Sequence, residues 1–293
     1  MNQEQRSQLS GFLLALPTII WLGLFFLLPL VSILVFSFMS RGQGGAAVFP
    51  PTAEYPFTLQ SYNDMFFGSY NRILIRSLNI ALITTVICLI VGYPLAFFIS
   101  TREKKWVQQV ALFLVILPFW TNFLIRTYAW RIILGQEGTL NSFMQWIGII
   151  EEPIQMLNTE FAVIVGLVYG FLPFMVLPVY ASVERFNFRF VEAAHDLGAN
   201  DWTTFWRVVF PMTLPGVIAG TALVFIPAIG AYVTPDLLGG TRGLMIGNLI
   251  YRQYVGSGNV PRGSAFSIVL IGMVVLALIF YVLFTTRSNK INE

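Results

Sequence analysis

The sequence predicts an all-α integral membrane protein with six transmembrane helices, and three observations carry that prediction. Of its 293 residues, 56% are hydrophobic and 11% charged, with a mean hydropathy of +0.74. Soluble domains carry about 25% charged residues, so too few polar side chains remain here to clothe a water-soluble core of this size. Second, six stretches lack any Asp, Glu, Lys or Arg: 12–38, 78–100, 107–125, 161–183, 208–233 and 264–286. Third, each is long enough, because a hydrocarbon layer about 30 Å thick needs roughly 20 helical residues.

Span 12–38 exceeds the roughly 7–15 apolar residues of a signal peptide and no small-x-small site follows it, so it is expected to stay in place. The loop 39–77 opens with Gly42, Gly44, Gly45, Pro50, Pro51 and Pro56, which predict irregular backbone, while 59–76 predicts a helix leading into the second span. Span 78–100 holds the only cysteine, Cys88, which excludes an internal disulfide and reads as a small packed apolar residue. A tight turn, Arg102-Glu103-Lys104-Lys105, leads into span 107–125. In the loop 126–160, the spacing of Leu140, Phe143, Met144, Trp146 and Ile147 predicts an amphipathic helix along the membrane surface. Spans 161–183 and 208–233 flank a charged segment, and the loop 234–263 precedes the last span, 264–286.

Pro94, Pro118, Pro173, Pro178, Pro215 and Pro227 interrupt these spans, each freeing a carbonyl and bending the helix axis. Gly92, Gly166, Gly170, Gly216, Gly220 and Gly230 let helix backbones approach closely. Such breaks suit a transporter that rocks between two states, or they reflect the ordinary frequency of Gly and Pro in membrane helices. No repeat or low-complexity tract appears, so 1–293 is read as a single transmembrane domain. An even number of spans places both termini on one side. Segments 1–11, 101–106, 184–207 and 287–293 hold nine Lys and Arg in 48 residues, against eight in the 104 residues of the other loops. The positive-inside rule therefore places both termini in the cytoplasm.

Several chemistries are excluded. No Gly-x-x-x-x-Gly-Lys-Ser/Thr loop is present to cradle nucleotide phosphates, and no G-x-S-x-G elbow. His195 is the only histidine, so a site needing two His ligands cannot be built. Cys88 lies inside a span and His195 between spans, too far apart to pair as a nucleophile and base. No catalytic residue, metal site or bound cofactor is expected, and a net charge of +3 does not argue for nucleic acid.

The charged segment 190–211 reads FVEAAHDLGANDWTTFWRVVFP. Residues 190–197 predict a short helix with Glu192 near its N-terminus, where the helix dipole favours a negative charge. Ala193 and Ala194 present a flat surface, and Gly198 ends the helix by taking a positive φ cheaply. Asn200 or Asp201 then caps a second short helix carrying Trp202, Phe205 and Trp206 toward Pro211. His195 and Asp196 either contact a partner or are solvated. An interfacial loop would account for the tryptophans but not for the spacing Glu192-Ala193-Ala194-x3-Gly198-x9-Val208-x-Phe210-Pro211.

That spacing resembles the EAA loop of bacterial ABC importer permeases, EAA-x3-G-x9-I-x-L-P, with Val208 and Phe210 replacing Ile and Leu. The resemblance implies an ABC type I importer permease fold, a multi-pass bacterial inner-membrane protein, and a cytoplasmic coupling helix between helices 4 and 5. It also implies that Glu192, Ala193, Ala194, Asp196, Gly198 and Pro211 form the part gripped by a separate ATPase. The partners it implies are two ATP-binding subunits carrying ATP and Mg, a second homologous permease subunit and an extracytoplasmic substrate-binding protein, all at a lipid bilayer. Further segments resemble the spermidine/putrescine permease subunits: RSLNIALITT at 76–85, LPFWTNFLIRTYAWRIIL at 117–134, EAAHDLGA at 192–199 and PAIGAYVTPDLLGG at 227–240.

A polyamine passage should offer carboxylates and aromatic faces. Asp236 beside Tyr232, Trp120 and Asn122 near the outer end of the third span, and Tyr169 in the fourth are the candidates. Arg126 and Arg131 flank the same region and would repel a cation if they faced it; they otherwise pair with Glu151, Glu152 or Glu160, meet lipid phosphates or bind a soluble partner. Two alternatives stay open at this point. One is an ABC permease for another small organic solute or an anion. The other is a secondary transporter without an ATPase, which would favour a charge within the spans, and all six spans lack one.

Overall fold

The computed structural model describes residues 14–48, 51–52 and 54–291. The expected start of the first span at residue 12, the segment 1–11 and Pro50 lie outside them. Among the described residues regular structure is helical, and the one exception is an isolated antiparallel bridge between Arg41 and Ala47. The helices are α1 (Leu14–Phe36), α2 (Gln60–Phe66), α3 (Asn71–Ser100), α4 (Lys105–Ile116), α5 (Phe123–Ile133), α6 (Thr139–Trp146), α7 (Glu160–Glu184), α8 (Arg189–Asp196), α9 (Asp201–Ile229), α10 (Ile246–Tyr251) and α11 (Val260–Ile291). Five of them, α1, α3, α7, α9 and α11, are long and apolar enough to cross a membrane, and a bent pair containing α4 and α5 brings the number to six when the pair is counted as one span.

That bent pair corrects the expectation of one continuous span over 107–125. Lys105–Trp120 and Phe123–Ile133 meet at 92°. Pro118 has no N–H to continue the ladder, so α4 tightens into a 3₁₀ turn at Leu117–Trp120 and leaves the helix at Thr121. Asn122 restarts it, its side-chain oxygen accepting from the Leu124 N–H at 2.8 Å. A charge-free run is insensitive to this, since it counts polarity and not dihedral angles. The helix expected over 59–76 is also interrupted, with α2 ending at Phe66 and α3 beginning at Asn71. The second short helix of the charged segment is not separate either, because Asp201 opens a helix that runs unbroken to Ile229.

Two helices absorb a proline through a wider turn. A π-turn at Gly23–Leu27 precedes Pro29, and another at Phe205–Val209 precedes Pro211. In each the missing proline N–H leaves the i→i−4 pattern, and the residue before it donates to the i−5 carbonyl instead, as Phe210 does to Phe205.

The chain divides into two compact units, Met1–Asn71 with Ile250–Ile271, and Arg72–Leu249 with Gly272–Glu293. In the first, the Arg262 guanidinium meets the Asp64 carboxylate at 2.9 Å, and Tyr62 donates to the buried Ser37 hydroxyl at 2.7 Å. Gly45 lies so close to the Gly258 carbonyl that no side chain fits there.

The core of the second unit joins Cys88, Tyr93, Ala96 and Ile99 of α3 to Met175, Val176, Val179 and Val183 of α7 and Val217 and Val224 of α9. Cys88 is fully buried, as a packed apolar residue should be. Gly216 lets α9 approach α7 closely, since a Cβ there would lie 2.6 Å from the Pro178 carbonyl oxygen. Polar bonds tie the same helices: the Tyr93 and Thr213 hydroxyls are 2.8 Å apart, and Ser182 donates to the Thr213 carbonyl at 3.2 Å. The loop between α5 and α7 is stapled by buried Asn141, whose amide donates to the Gly135 and Ile154 carbonyls and accepts from the Ile154 N–H, each at 3.0 Å.

Candidate functional site

The charged segment between α7 and α9 folds from its own sequence. Asn187 accepts from the Arg189 N–H at 3.1 Å and starts α8. Glu192 sits in the first turn, exposed, where the dipole favours it. At the other end Gly198 takes φ +83°, its N–H donating to the His195 carbonyl at 2.8 Å while the Ala199 N–H donates to the Ala194 carbonyl at 3.0 Å. These two bonds make a Schellman cap. The cap leaves Leu197 as an almost fully exposed side chain, at 89%. Asn200 then accepts from the Thr203 N–H at 2.8 Å and caps α9.

The segment is held by two further contacts. His195 Nε2 lies 3.2 Å from an Asp201 carboxylate oxygen, clasping the end of α8 to the start of α9, so the histidine is paired rather than simply solvated. Beneath it an aromatic floor forms, with Phe186 and Phe188 ring centroids 5.2 Å apart and Phe205 edge-on to Tyr93 at 5.6 Å. Phe97, Phe188, His195, Asp201, Thr204 and Phe205 line a cleft of about 340 Å³. Above this floor Glu192, Ala193, Asp196, Leu197, Gly198 and Trp202 are exposed and Ala194 is half-buried, whereas Pro211 lies in α9 just past the π-turn. A small, flat, capped helix with one protruding leucine is suited to seating in a groove of another protein.

The other candidate residues fall in two places. Asp236 and Tyr232 come together, the Asp236 N–H donating to the Tyr232 carbonyl at 3.1 Å. Sequence reasoning missed the residue that organises them. Asn248, fully buried, donates to the Tyr232 carbonyl at 2.8 Å and lies 3.4 Å from an Asp236 carboxylate oxygen. An asparagine in an otherwise apolar IGNLI run was the available signal. Leu238, on the same turn as Asp236, is buried with Leu134, Met156 and Ala162, which anchors that turn beside α5 and α7.

Trp120 and Asn122 lie at the bend of the third span. Trp120 is exposed and stands T-shaped against Phe113 with ring centroids 5.9 Å apart, and Asn122 spends its side-chain oxygen on the α5 cap. Tyr169 packs on Trp130 with ring centroids 5.4 Å apart. Arg126 reaches into this group, donating to the Pro118 carbonyl at 2.9 Å with its guanidinium carbon 5.4, 5.5 and 5.9 Å from the Phe119, Phe123 and Tyr169 ring centroids. Glu160, one partner considered for Arg126, pairs with Arg76 instead.

Comparison with known proteins places this geometry. Residues 89–290 match the family described as binding-protein-dependent transport system inner membrane component. The chain is 44% identical over 271 residues to the spermidine/putrescine transport system permease protein PotB of Haemophilus influenzae, covering 92% of this chain and 91% of that one. It is likewise 44% identical over 270 residues to PotB of Escherichia coli strain K12, covering 92% and 96%. Among solved structures, a bacterial ABC transporter involved in the import of the acidic polysaccharide alginate matches with a TM-score of 0.76 at 18% identity, covering 99% of both chains. That last likeness concerns the fold.

Proposed function

The chain belongs to the family of binding-protein-dependent transport system inner membrane components, and from that premise we propose that it forms half of the translocation pathway of an ATP-driven importer for spermidine and putrescine. The whole of 1–293 acts as one permease domain, since α11 contributes residues to both compact units. Both termini and the segment 190–211 face the cytoplasm. Two ATP-binding subunits hold ATP and Mg and carry out the hydrolysis; a second permease subunit completes the pathway, and a substrate-binding protein delivers cargo from outside.

Glu192, Ala193, Ala194, Asp196 and Gly198 seat in the ATP-binding subunits, with Pro211 at the root of the lever. ATP binding closes those subunits and carries α8 with them; α9, continuous from Asp201, conveys the movement into the membrane. The two permease bundles then rock from inward-open to outward-open, and cargo enters past Asp236, Tyr232, Trp120, Asn122 and Tyr169. The single observation supporting this most is the Schellman-capped helix with exposed Leu197 standing between two long spans. The choice of cargo is supported by the names of the 44% identical relatives and by an exposed carboxylate at Asp236.

The test is uptake of labelled spermidine into proteoliposomes holding the permease pair, the ATP-binding subunits and the binding protein. ATP-dependent accumulation is expected. Accumulation that persists without ATP points to a secondary transporter; ATP turnover stimulated by another solute, with no polyamine uptake, moves the cargo to that solute.

A further inference from the structure

Arg126 poses a difficulty for a cation pathway, and its surroundings resolve it. Its guanidinium lies within cation–π range of three rings, those of Phe119, Phe123 and Tyr169. The side chain is half-buried and also donates to the Pro118 carbonyl at 2.9 Å, an oxygen it shares with the Thr121 hydroxyl at 2.7 Å and the Thr121 N–H at 3.4 Å. Beside it, Thr121, Ile125, Trp130, Ile133 and Tyr169 line a cleft of about 350 Å³. A cluster of π-faces around a bend is a receptor for a cation, and here the chain supplies the cation itself.

Resting on the polyamine reading above, we propose that the cleft at Arg126, Trp130 and Tyr169 is a station for an alkylammonium end of the cargo, and that Arg126 is its resident competitor. The guanidinium and an ammonium cannot share the same faces, because two positive charges a few ångströms apart repel strongly where water is scarce. Occupancy is therefore exclusive. When the ammonium arrives, Arg126 leaves the rings and gives up its share of the Pro118 carbonyl, which stays with Thr121; one bond across the 92° bend of the third span is lost, and that links cargo binding to the bend. When cargo departs, Arg126 returns and closes the station. A resident cation of this kind holds the empty rings against small inorganic cations and lets an alkylammonium in, because the latter also buries methylenes against Trp130 and Tyr169.

The experiment is equilibrium binding of labelled spermidine to the assembled transporter in nanodiscs without the soluble binding protein, beside ATP-driven uptake with it. Arg126→Gln, which can still donate toward Pro118 but carries no charge, is expected to tighten spermidine binding by about fivefold or more. Tyr169→Ala is expected to weaken it by a similar factor, and Arg126→Lys to leave it near wild type. Copurification of all subunits checks assembly of each variant. Binding by Arg126→Gln that is unchanged or weaker, or binding by Tyr169→Ala that is unchanged, overturns this inference alone. No spermidine uptake by the wild-type complex overturns the polyamine reading and this inference with it.

Discussion

The Arg76 guanidinium lies 2.9 Å from a Glu160 carboxylate oxygen and joins the start of α3 to the start of α7. Glu160 is favourably placed in the first turn of its helix, and Arg76, in the second turn of α3, sets a positive charge beside it. Side-chain exposures of 23% and 52% mean that water screens the pair. Glu160→Gln should therefore cost no more than about 1 kcal/mol, and the exchange Arg76→Glu with Glu160→Arg should recover only part of it. A double-mutant cycle read by thermal unfolding in detergent measures the coupling; a value of several kcal/mol would mean that the pair is dry.

The approach of α9 to α7 at Gly216 makes a stronger prediction. A methyl group there would press on the Pro178 carbonyl oxygen at 2.6 Å and on the Ser182 side chain, both on a rigid helix. Gly220 is different, because its added Cβ meets first the end of the flexible Met175 side chain, at 2.7 Å. Gly216→Ala should destabilise by about 1–3 kcal/mol through overpacking, and Gly220→Ala by less. Equal melting temperatures for the two variants would show that α7 and α9 can part freely.

The coupling segment predicts loss of function without loss of insertion. Gly198 has open space where a Cβ would project, so a substitution there costs conformation and not contact, about 1–2 kcal/mol at φ +83° for most residues and less for Asn or Asp. Gly198→Asp adds a negative charge at the unfavourable end of α8, and Glu192→Lys puts a positive one at its start. Both should abolish ATP-driven uptake while the chain still inserts, with Gly198→Asn retaining part of it. Either of the first two copurifying with the ATP-binding subunit and transporting normally would remove the segment from the coupling role.

The caps of that segment were legible for a specific reason: their signals are local. A glycine needing positive φ, an asparagine cap and an acidic first turn each act over a few residues, and Gly198, Asn200 and Glu192 take those roles in the structure. The charge-free runs at 78–100, 161–183 and 264–286 similarly mark α3, α7 and α11, because polarity alone decides what can sit in hydrocarbon. The third span was not legible in that way. Whether Pro118 bends a helix or breaks it depends on what satisfies the carbonyls at the bend, and the Pro118 carbonyl is taken both by Thr121 at 2.7 Å and by Arg126, eight residues further on, at 2.9 Å. The same holds at the candidate pathway. Asp236 attracts notice as a lone carboxylate, but its position is set by Asn248 through a fold contact that no spacing announces.

Asp236 gives the most direct test of cargo. Asp236→Asn keeps the shape of the side chain and an oxygen that can still accept from Asn248, so the local turn should hold while the charge is lost. The Leu238 anchor of that turn is untouched, being fully buried in a different direction from the exposed Asp236. Uptake of a polycation should fall by about five- to tenfold, the worth of roughly 1 kcal/mol or slightly more for one charged hydrogen bond. Copurification of the ATP-binding subunits and ATP turnover in the absence of cargo should stay as in wild type. The loss should be greater for spermidine than for putrescine, because the cation with the greater charge loses more when a carboxylate goes. Equal uptake of both by Asp236→Asn would take this carboxylate off the route.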